Sequence, residues 1–259
     1  MKFTRFLHGS AKSKKKKIKW GILKGDTIEV ISGSPFSEWK RTGVEIKDYD
    51  VQFLSPCNPS KIVCIGLNYQ EHIDELEMEA PDEPLLFMKP SSSILGPEEY
   101  IVKPSICQKL DYEAELAAII GKEARKISPE EVKHHVLGYT CFNDVTARDI
   151  QRKDGQWTRA KSFDTFAPVG PVMKTDIDPN NLKIELILND KVMQSSSTSN
   201  MIFKMEELIS FVSSVMTLYP QDIIATGTPP RVGGMGIGDV VEVVIEEIGV
   251  LRNYVTEEE

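Results

Sequence analysis

Hydrophobic residues in this chain fall mostly in short runs, many of about four to eight residues, the pattern of buried strands rather than of long helices. Gly, Pro, Asn and Asp separate the runs, and these residues mark turns. The predicted class is therefore α+β and rich in β-structure. The pattern predicts strands over residues 4–7, 18–23, 27–31, 61–67, 85–90, 110–120, 137–144, 183–188, 222–226, 240–245 and 249–255.

Few segments have helical character. Ser128 followed by Pro129 provides an N-cap and a first helical residue, which predicts a short helix there. An amphipathic run predicts a longer helix over 204–217, and residues 72–76 are a short helical candidate. Residues 150–167 are polar and aromatic, and we predict a long functional loop.

The first strands are separated from the rest of the chain by a linker that ends in Pro56 and Pro59. This arrangement predicts a small β-domain over residues 1–56, followed by a principal domain over 57–259. A chain of 259 residues is long enough for such a division.

Two glutamates stand out in the predicted strand 110–120. Alternation along a strand places Glu113 and Glu115 on one face, opposite an apolar face. Buried like charges this close need a positive partner, and Asp144 at the end of the next buried strand adds a third acid. Surface glutamates on an edge strand are the alternative. Oxygen ligands without nearby His or Cys favour Mg²⁺, with Mn²⁺ or Ca²⁺ as alternatives.

His72 and Glu75 are three residues apart, so they can meet on one face of a helix. A carboxylate that accepts from one ring nitrogen makes the other nitrogen a better base. The segment follows a buried strand, as a lid over a site would. A solvated pair on a surface helix is the alternative.

Cationic and polar residues follow Asp144 in the chain. Arg148, Gln151 and Lys161 beside a carboxylate-held cation suggest that an anionic substrate binds there. Thr226-Gly227-Thr228, at the end of a buried strand, can offer hydroxyls and backbone amides to a carboxylate. The alternative for the residues after Asp144 is that they are solvated side chains of a loop. The alternative for the segment at Thr226 is a plain turn.

The net charge of −8 argues against nucleic acid as a partner. One basic run is the exception, and we interpret it as a solvated turn: Lys12, Lys14, Lys15, Lys16, Lys17 and Lys19. The four cysteines show neither a CxxC pair nor zinc spacing, and Cys64 and Cys141 are predicted to be reduced core residues. The amino end lacks an apolar signal core, so a soluble, cytoplasmic protein without a membrane partner is expected.

Five stretches together resemble the fumarylacetoacetate hydrolase family, in its branch of fumarylpyruvate/acylpyruvate hydrolases and 2-hydroxyhepta-2,4-diene-1,7-dioate isomerases. They are IGLNYQEH at 65–72, DYEAEL at 111–116, FNDVTARDIQ at 142–151, DGQWTRAKSFD at 154–164 and IATGTP at 224–229. The resemblance begins near residue 60, and residues 1–55 are similar to the small amino-terminal extension of some members. Residues 194–199 depart from a stretch that is often richer in Gly and charge, which affects the distal substrate pocket.

The resemblance implies a role for each of nine candidate residues. Metal ligands are Glu113, Glu115 and Asp144; the water-activating dyad is His72 with Glu75; substrate or enolate contacts are Arg148, Gln151, Lys161 and Thr226. It also implies a mixed β-sandwich roll in a homodimer, with a catalytic domain over 57–259.

The predicted activity is Mg²⁺-dependent hydrolysis of a C–C bond in acylpyruvate-type 2,4-dioxo acids, through an enolate held at the metal and by Lys161. Such chemistry is typical of aromatic catabolism. Oxaloacetate decarboxylation or tautomerisation, and isomerisation or decarboxylation of 2-hydroxyhepta-2,4-diene-1,7-dioate, are alternatives on the same site. A non-catalytic binding protein is a further alternative.

Overall fold

Strands dominate the structure, a computed structural model that describes residues 1–9, 16–75 and 77–258. In the first half of the chain the strands are β1 (Lys2–His8), β2 (Lys17–Lys24), β3 (Thr27–Gly33), β4 (Trp39–Lys47), β5 (Gln52–Leu54), β6 (Ile62–Gly66), β7 (Leu85–Lys89), β8 (Ile94–Leu95), β9 (Tyr100–Lys103), β10 (Leu110–Tyr112) and β11 (Ala114–Ile120). In the second half they are β12 (Val136–Asn143), β13 (Thr146–Ala147), β14 (Ala167–Lys174), β15 (Lys183–Leu188), β16 (Lys191–Ser197), β17 (Ile223–Ala225), β18 (Gly233–Met235), β19 (Val240–Ile245) and β20 (Gly249–Glu257).

The helices within the described ranges are short. The α-helices are α1 (Gln70–Glu75), α2 (Arg148–Asp154), α3 (Thr158–Lys161) and α4 (Met205–Val215). Short 3₁₀ helices occupy Asp48–Asp50, Ser91–Ser93, Pro129–His134 and Thr198–Asn200. The predicted β-rich class is therefore confirmed.

The strands form three sheets. The largest has the order β4-β3-β2-β1-β14-β12-β11-β17-β6-β7, with β5 paired to β1 and β8 paired to β14. A second sheet has the order β16-β15-β19-β20-β9, and a small third sheet has the order β13-β10-β18. The candidate site residues discussed below lie near the ends of β7, β10, β11, β12 and β17, on the helices α1, α2 and α3, and on β16.

Strand β11 lies in the middle of the largest sheet and is buried along its whole length. Leu116, Ala118 and Ile120 pack into one core, while Ala117 and Ile119 pack into another on the opposite face. Full burial of a Leu or Ile side chain contributes about 1.5–3 kcal/mol. The strand is thus a rigid support for the side chains at its amino end.

The amino-terminal strands belong to the same sheet as the rest of the chain. Strand β1 pairs antiparallel with β14, with Lys2 opposite Lys174 and Phe3 opposite Met173. Residues 1–56 are thus joined to the principal domain by a continuous ladder. The division into domains at residue 56 stays a prediction.

The prediction of one continuous strand over 110–120 is wrong. The chain leaves one sheet and enters another at Glu113, since β10 belongs to the small sheet and β11 to the large one. The Glu113 amide donates to the side-chain oxygen of Asn143 (3.0 Å) instead of to a ladder carbonyl. Simple alternation along one strand therefore does not explain how Glu113 and Glu115 come together.

The predicted loop over 150–167 is also corrected, because it contains most of α2 and all of α3. Gly155 ends α2 in the left-handed conformation (φ 70°), which glycine adopts without strain. The helix predicted from Ser128 is a 3₁₀ helix over Pro129–His134, with the expected cap: the Ser128 amide donates to the Glu131 carboxylate (2.8 Å).

The pattern missed several strands, of which β14 is the most important because it lies in the middle of the largest sheet. It contains Pro168 and Pro171, which lack the amide hydrogen that a ladder requires. The other missed strands of four or more residues are β4, β9 and β16.

The basic run lies partly outside the described residues, since Lys12, Lys14 and Lys15 are not among them, whereas Lys17 and Lys19 belong to β2. All four cysteines are buried free thiols, as predicted for Cys64 and Cys141. Within the described ranges, every helix is too short or too polar for a membrane-spanning segment.

Asp222 joins the start of β17 to the turn before β6. Its buried carboxylate accepts from the amides of Ser60 (3.0 Å), Lys61 (3.2 Å) and Tyr219 (2.8 Å) and pairs with the Lys61 ammonium. Asp222→Ala leaves these buried donors without an acceptor, so we expect the free energy of unfolding to fall by about 3–5 kcal/mol. Urea denaturation measures the loss.

Asp26→Ala is the matched control, because Asp26 also pairs with a lysine, Lys47 (2.8 Å), but is exposed. Surface pairs contribute little to stability. Equal losses in the two variants would show that the Asp222 network has no special stabilising role.

Candidate metal centre and active site

Three acids from separate segments converge at one end of β11. Glu113 lies at the junction of β10 and β11, Glu115 lies within β11, and Asp144 directly follows β12. The pairing of Ala114 with Asn143 brings the segments together, and the Asp144 amide donates to the Glu113 carbonyl (2.9 Å). All three acids are buried, and one carboxylate oxygen from each lies within 4.8 Å of the others. Oxygens at this spacing can bind a single cation.

Two buried lysines share the carboxylates of Asp144 and Glu113. Lys161, at the end of α3, donates to Glu113 Oε2 (2.8 Å) and Asp144 Oδ2 (2.6 Å). Lys89, at the end of β7, is completely buried; it pairs with Asp144 Oδ1 and also donates to the Val145 carbonyl (3.1 Å). Burial opposes the charge of Lys161, but Asp144 and Glu113 outweigh it and raise its pKa. Lys161 is therefore an ammonium at neutral pH.

Arg148, the first residue of α2, connects the site to a fourth acid. Its guanidinium pairs with Glu113 Oε1, donates to Asp111 Oδ2 (2.8 Å) and donates to Gln151 Oε1 (2.6 Å). Burial alone would raise the pKa of Glu113, but Lys161 and Arg148 together lower it to about 2. Glu113 is therefore ionised.

Glu115 is the exception among the three acids. In the part of the chain that the structure describes, no basic side chain pairs with it, and its Oε2 accepts only from the Gly227 amide (3.0 Å). Burial, and then the charges of Asp144 and Glu113, raise the pKa of Glu115 well above its ordinary value. The site thus contains one buried carboxylate that has no salt-bridge partner and that the charge of Lys161 compensates only in part.

The residues present fit a hard divalent cation. All the candidate ligand atoms are carboxylate oxygens, which Mg²⁺, Mn²⁺ and Ca²⁺ prefer over the softer metals. A divalent ion would supply the positive charge that Glu115 lacks.

His72 and Glu75 both lie on α1, as the spacing predicted. His72 Nδ1 and Glu75 Oε2 are 3.3 Å apart, and Oε2 also accepts from the Arg231 amide (2.9 Å). If His72 Nδ1 carries the proton, Nε2 is left as the basic atom. The Asn68 side chain fixes the start of this helix, because it accepts from the Phe203 amide (2.8 Å) and donates to the Thr226 carbonyl (2.8 Å).

One cavity of about 580 Å³ contains most of the predicted site residues. The acids Glu113 and Glu115, the dyad His72–Glu75, and Arg148, Gln151 and Lys161 all line it. Asp144 adjoins it through Lys161. The rest of the wall is partly apolar, and includes Ile65, Leu67, Phe87, Trp157 and Val232.

Thr226 is the predicted site residue that the structure does not bring to this cavity. Its buried hydroxyl donates to the Leu116 carbonyl (2.9 Å), so it is occupied in joining β17 to β11. Thr228, two residues further on, lines the cavity instead. The geometry therefore favours Thr228, the other hydroxyl of the predicted Thr226-Gly227-Thr228 turn, for the contact with a carboxylate.

A family model described as fumarylacetoacetate (FAA) hydrolase C-terminal matches residues 61–256. This chain belongs to the fumarylacetoacetate hydrolase family. A second model, described as Rv2993c-like, N-terminal, matches residues 1–56.

Relatives of this family member span several activities. It is 58% identical to uncharacterized protein MJ1656 of Methanocaldococcus jannaschii over 80% of this chain and 87% of that one. It is 47% identical to the mitochondrial oxaloacetate tautomerase FAHD2A of Bos taurus, over 80% and 70% of the two chains.

Two solved structures cover the whole of this fumarylacetoacetate hydrolase family chain, and the match covers the whole of each of them. One is a 5-carboxymethyl-2-hydroxymuconate delta-isomerase from Mycobacterium smegmatis (37% identity, TM-score 0.91). The other is a maleylpyruvate hydrolase from Sphingobium sp. SYK-6 in complex with manganese (II) ion and pyruvate (30% identity, TM-score 0.82). The family thus includes hydrolases, isomerases and tautomerases.

Two residues of the site in this family member, Lys89 and Asp111, were not predicted from the sequence. Lys89 ends a hydrophobic strand directly before Pro90, and a cation at the end of an otherwise apolar strand was the available signal. Asp111 lies beside the glutamates and holds Arg148. The sequence offers Thr228 together with Thr226 as hydroxyl donors, and no feature of it distinguishes the two.

Proposed function

We propose that the chain is a divalent-metal-dependent hydrolase that cleaves a C–C bond in acylpyruvate-type 2,4-dioxo acids, with Mg²⁺ as its ion. One observation carries the proposal: an imidazole–carboxylate pair lines the same cavity as Glu113 and Glu115, two members of a buried acidic triad. A water-activating base beside a cation site is the combination that hydrolysis requires. The volume of about 580 Å³ is sufficient for a small dioxo acid.

Glu113, Glu115 and Asp144 would hold the ion. When bound, it would act as a Lewis acid toward the 2-oxo and carboxylate oxygens of the substrate. The maleylpyruvate hydrolase whose structure contains manganese (II) and pyruvate supports the pairing of a divalent ion with a 2-oxo acid.

Polar side chains of the chain itself would bind the acid end of the substrate and stabilise the enolate. Arg148 occupies the Gln151 carbonyl oxygen, so the Gln151 amide hydrogens remain to donate into the cavity. Thr228 offers a hydroxyl from the same wall. Lys161 remains charged and buried, and it stabilises the negative charge that develops on the departing enolate.

His72 would begin the reaction by taking a proton from water, while Glu75 stabilises the imidazolium. The oxygen of that water bonds to the C4 carbonyl carbon, and the C3–C4 bond then breaks. Its electron pair becomes the enolate of pyruvate, and C4 leaves as a carboxylic acid. The His72 imidazolium then donates its proton to C3 of the enolate, which gives pyruvate, so atoms and charge balance.

Oxaloacetate tautomerisation is the second candidate, and the 47% identity to oxaloacetate tautomerase FAHD2A favours it. Its substrate is also a 2-oxo acid with an enol form, so the same cations and hydroxyl serve it. Tautomerisation differs from hydrolysis because it requires proton transfer at C3 but no nucleophilic water.

Product analysis by NMR separates these reactions. Protein loaded with Mg²⁺ or Mn²⁺ is incubated with acetylpyruvate, fumarylpyruvate, oxaloacetate and an unsaturated 2-hydroxymuconate-type dicarboxylate. Formation of pyruvate and a carboxylic acid supports hydrolysis. Accelerated keto–enol exchange of oxaloacetate alone would replace that proposal with tautomerase activity, and a shifted double bond would replace it with isomerase activity.

We also propose that the enzyme is a homodimer that acts in aromatic catabolism and binds neither nucleic acid nor membranes. Light scattering after size-exclusion chromatography tests the assembly. Calorimetry with Mg²⁺ tests the alternative of a non-catalytic protein, which has no need of a metal site.

A further inference from the structure

Gln194 is a fully buried polar residue on β16, at the edge of the second sheet, yet its side chain reaches the site. Its Oε1 accepts from the Ala114 amide (3.0 Å). Its Nε2 donates to Thr228 Oγ1 (3.0 Å) and to the Pro229 carbonyl (2.7 Å), with the Pro230 carbonyl at 3.2 Å. The side chain thus connects the metal end of β11 to the cavity wall.

The partners fix the orientation of this amide. The Ala114 amide can only donate, and the carbonyl of Pro229 can only accept. The Gln194 oxygen must therefore face Ala114, and its NH₂ group must face Thr228. A flipped amide would place like groups against each other at both ends.

This orientation determines what the Thr228 hydroxyl can do. Because Thr228 Oγ1 accepts from Gln194, its own hydrogen must point elsewhere, and Thr228 is one of the residues that line the cavity. No acceptor takes that hydrogen in the part of the protein described here. Thr228 is therefore prepared as a donor to an anionic oxygen in the cavity.

The hydrogen bond from the Ala114 amide to Gln194 Oε1 acts at the other end of the Gln194 side chain. Ala114 lies between Glu113 and Glu115, at the point where the chain passes from one sheet to another. A buried hydrogen bond to this amide fixes the backbone from which both carboxylates project. Residues that orient ligands in this way typically change metal affinity by about 10–100-fold when replaced.

We infer that Gln194 is a positioning residue that sets the two glutamate ligands through Ala114 and orients the Thr228 hydroxyl toward the substrate acid. The inference rests on the proposed metal-dependent function. It also gives a role to part of the stretch 194–199, in which Gln194 and Thr198 are buried.

The test uses the full chain, with calorimetric titration of Mg²⁺ or Mn²⁺ and then of oxalate, a mimic of the 2-oxo acid end, so it does not depend on turnover. Gln194→Met keeps the approximate volume and removes every hydrogen bond. We expect its metal dissociation constant and its oxalate dissociation constant each to rise about tenfold. Ser195→Ala, an exposed neighbour on the same strand, is the control and should change neither constant.

Thr228→Val separates the two roles. It should weaken oxalate binding about tenfold and leave the metal constant unchanged, because only the hydroxyl is lost. In the Gln194→Met/Thr228→Val double variant, the loss of oxalate affinity should be less than the product of the single losses, since both act through one hydroxyl. Thr228→Ser should restore binding.

If Gln194→Met does not fold, Gln194→Glu carries the test, because it keeps the acceptor for Ala114 and loses the amide hydrogens. It should weaken oxalate binding and preserve metal binding. A Gln194 variant with a lower melting temperature and wild-type constants would overturn the inference while leaving the proposed function intact. A wild-type protein that binds no divalent ion would overturn both.

Discussion

His72→Ala is expected to lower kcat for acylpyruvate hydrolysis by about 10²–10⁴-fold, the usual contribution of a positioned general base. His72 shares its cavity with Glu113 and Glu115 but forms its side-chain contact with Glu75 (3.3 Å) rather than with the ligands. Metal affinity and oxalate affinity should therefore remain at wild-type values. Steady-state kinetics and calorimetry on the same preparation measure the two effects.

Glu75→Gln provides a graded comparison for the dyad. Its amide keeps the side-chain volume but cannot stabilise the imidazolium, so a smaller loss of kcat is expected than in His72→Ala. His8→Ala, remote from the cavity on β1, is the control and should behave as wild type. Undiminished hydrolysis by His72→Ala would exclude the dyad as the base, and retention of oxaloacetate exchange alone would point to the tautomerase.

Glu115→Gln is expected to have opposite effects on metal binding and on stability. Loss of a direct ligand should weaken Mg²⁺ binding by about 100-fold or more, since loss of groups behind the ligands already costs about 10–100-fold. The metal-free protein should be as stable as wild type or more so. The Gln oxygen can still accept from Gly227, and the variant has no uncompensated buried charge.

The pH dependence of the stability of the metal-free protein provides a second measurement of the effect of Glu115→Gln. The pKa of Glu115 is raised in the fold, so the folded protein holds a proton that the unfolded chain releases above about pH 4. Through this group, the stability of the metal-free wild type falls as pH rises, and Glu115→Gln removes that contribution. Melting temperatures in EDTA from pH 5 to pH 8 measure it.

Glu130→Gln, an exposed acid on a surface turn, is the control for Glu115→Gln and should leave metal affinity unchanged. If Glu115→Gln binds Mg²⁺ as wild type does, Glu115 is not a ligand. If it is much less stable than wild type in EDTA, the buried carboxylate is compensated in a way that the structure does not account for.

Local patterns were sufficient for most strands. The runs that became β6, β12, β15 and β19 are continuous or alternating hydrophobic segments bounded by turn residues, and burial of such a segment is a local property. The pairing of His72 with Glu75 was also predictable, because helix geometry alone relates residues three apart.

Strand β14 shows where local reasoning fails. Pro168 and Pro171 argue against a strand in the middle of a sheet, yet β14 is held between β1 and β12. Partners far apart in the chain supply the pairing that local propensity disfavours.

The amino-acid sequence alone determined which acids, bases and cations this protein has available, and the hydrophobic stretches that carry them to strand ends. Only the tertiary structure decided how they meet. It interrupted the predicted strand at Glu113 and paired Lys89, which was not predicted, with Asp144. It also placed Thr228 rather than Thr226 in the wall of the cavity. The physical reason is that these choices depend on partners such as Asn143 and Leu116, which become neighbours only when the sheets assemble.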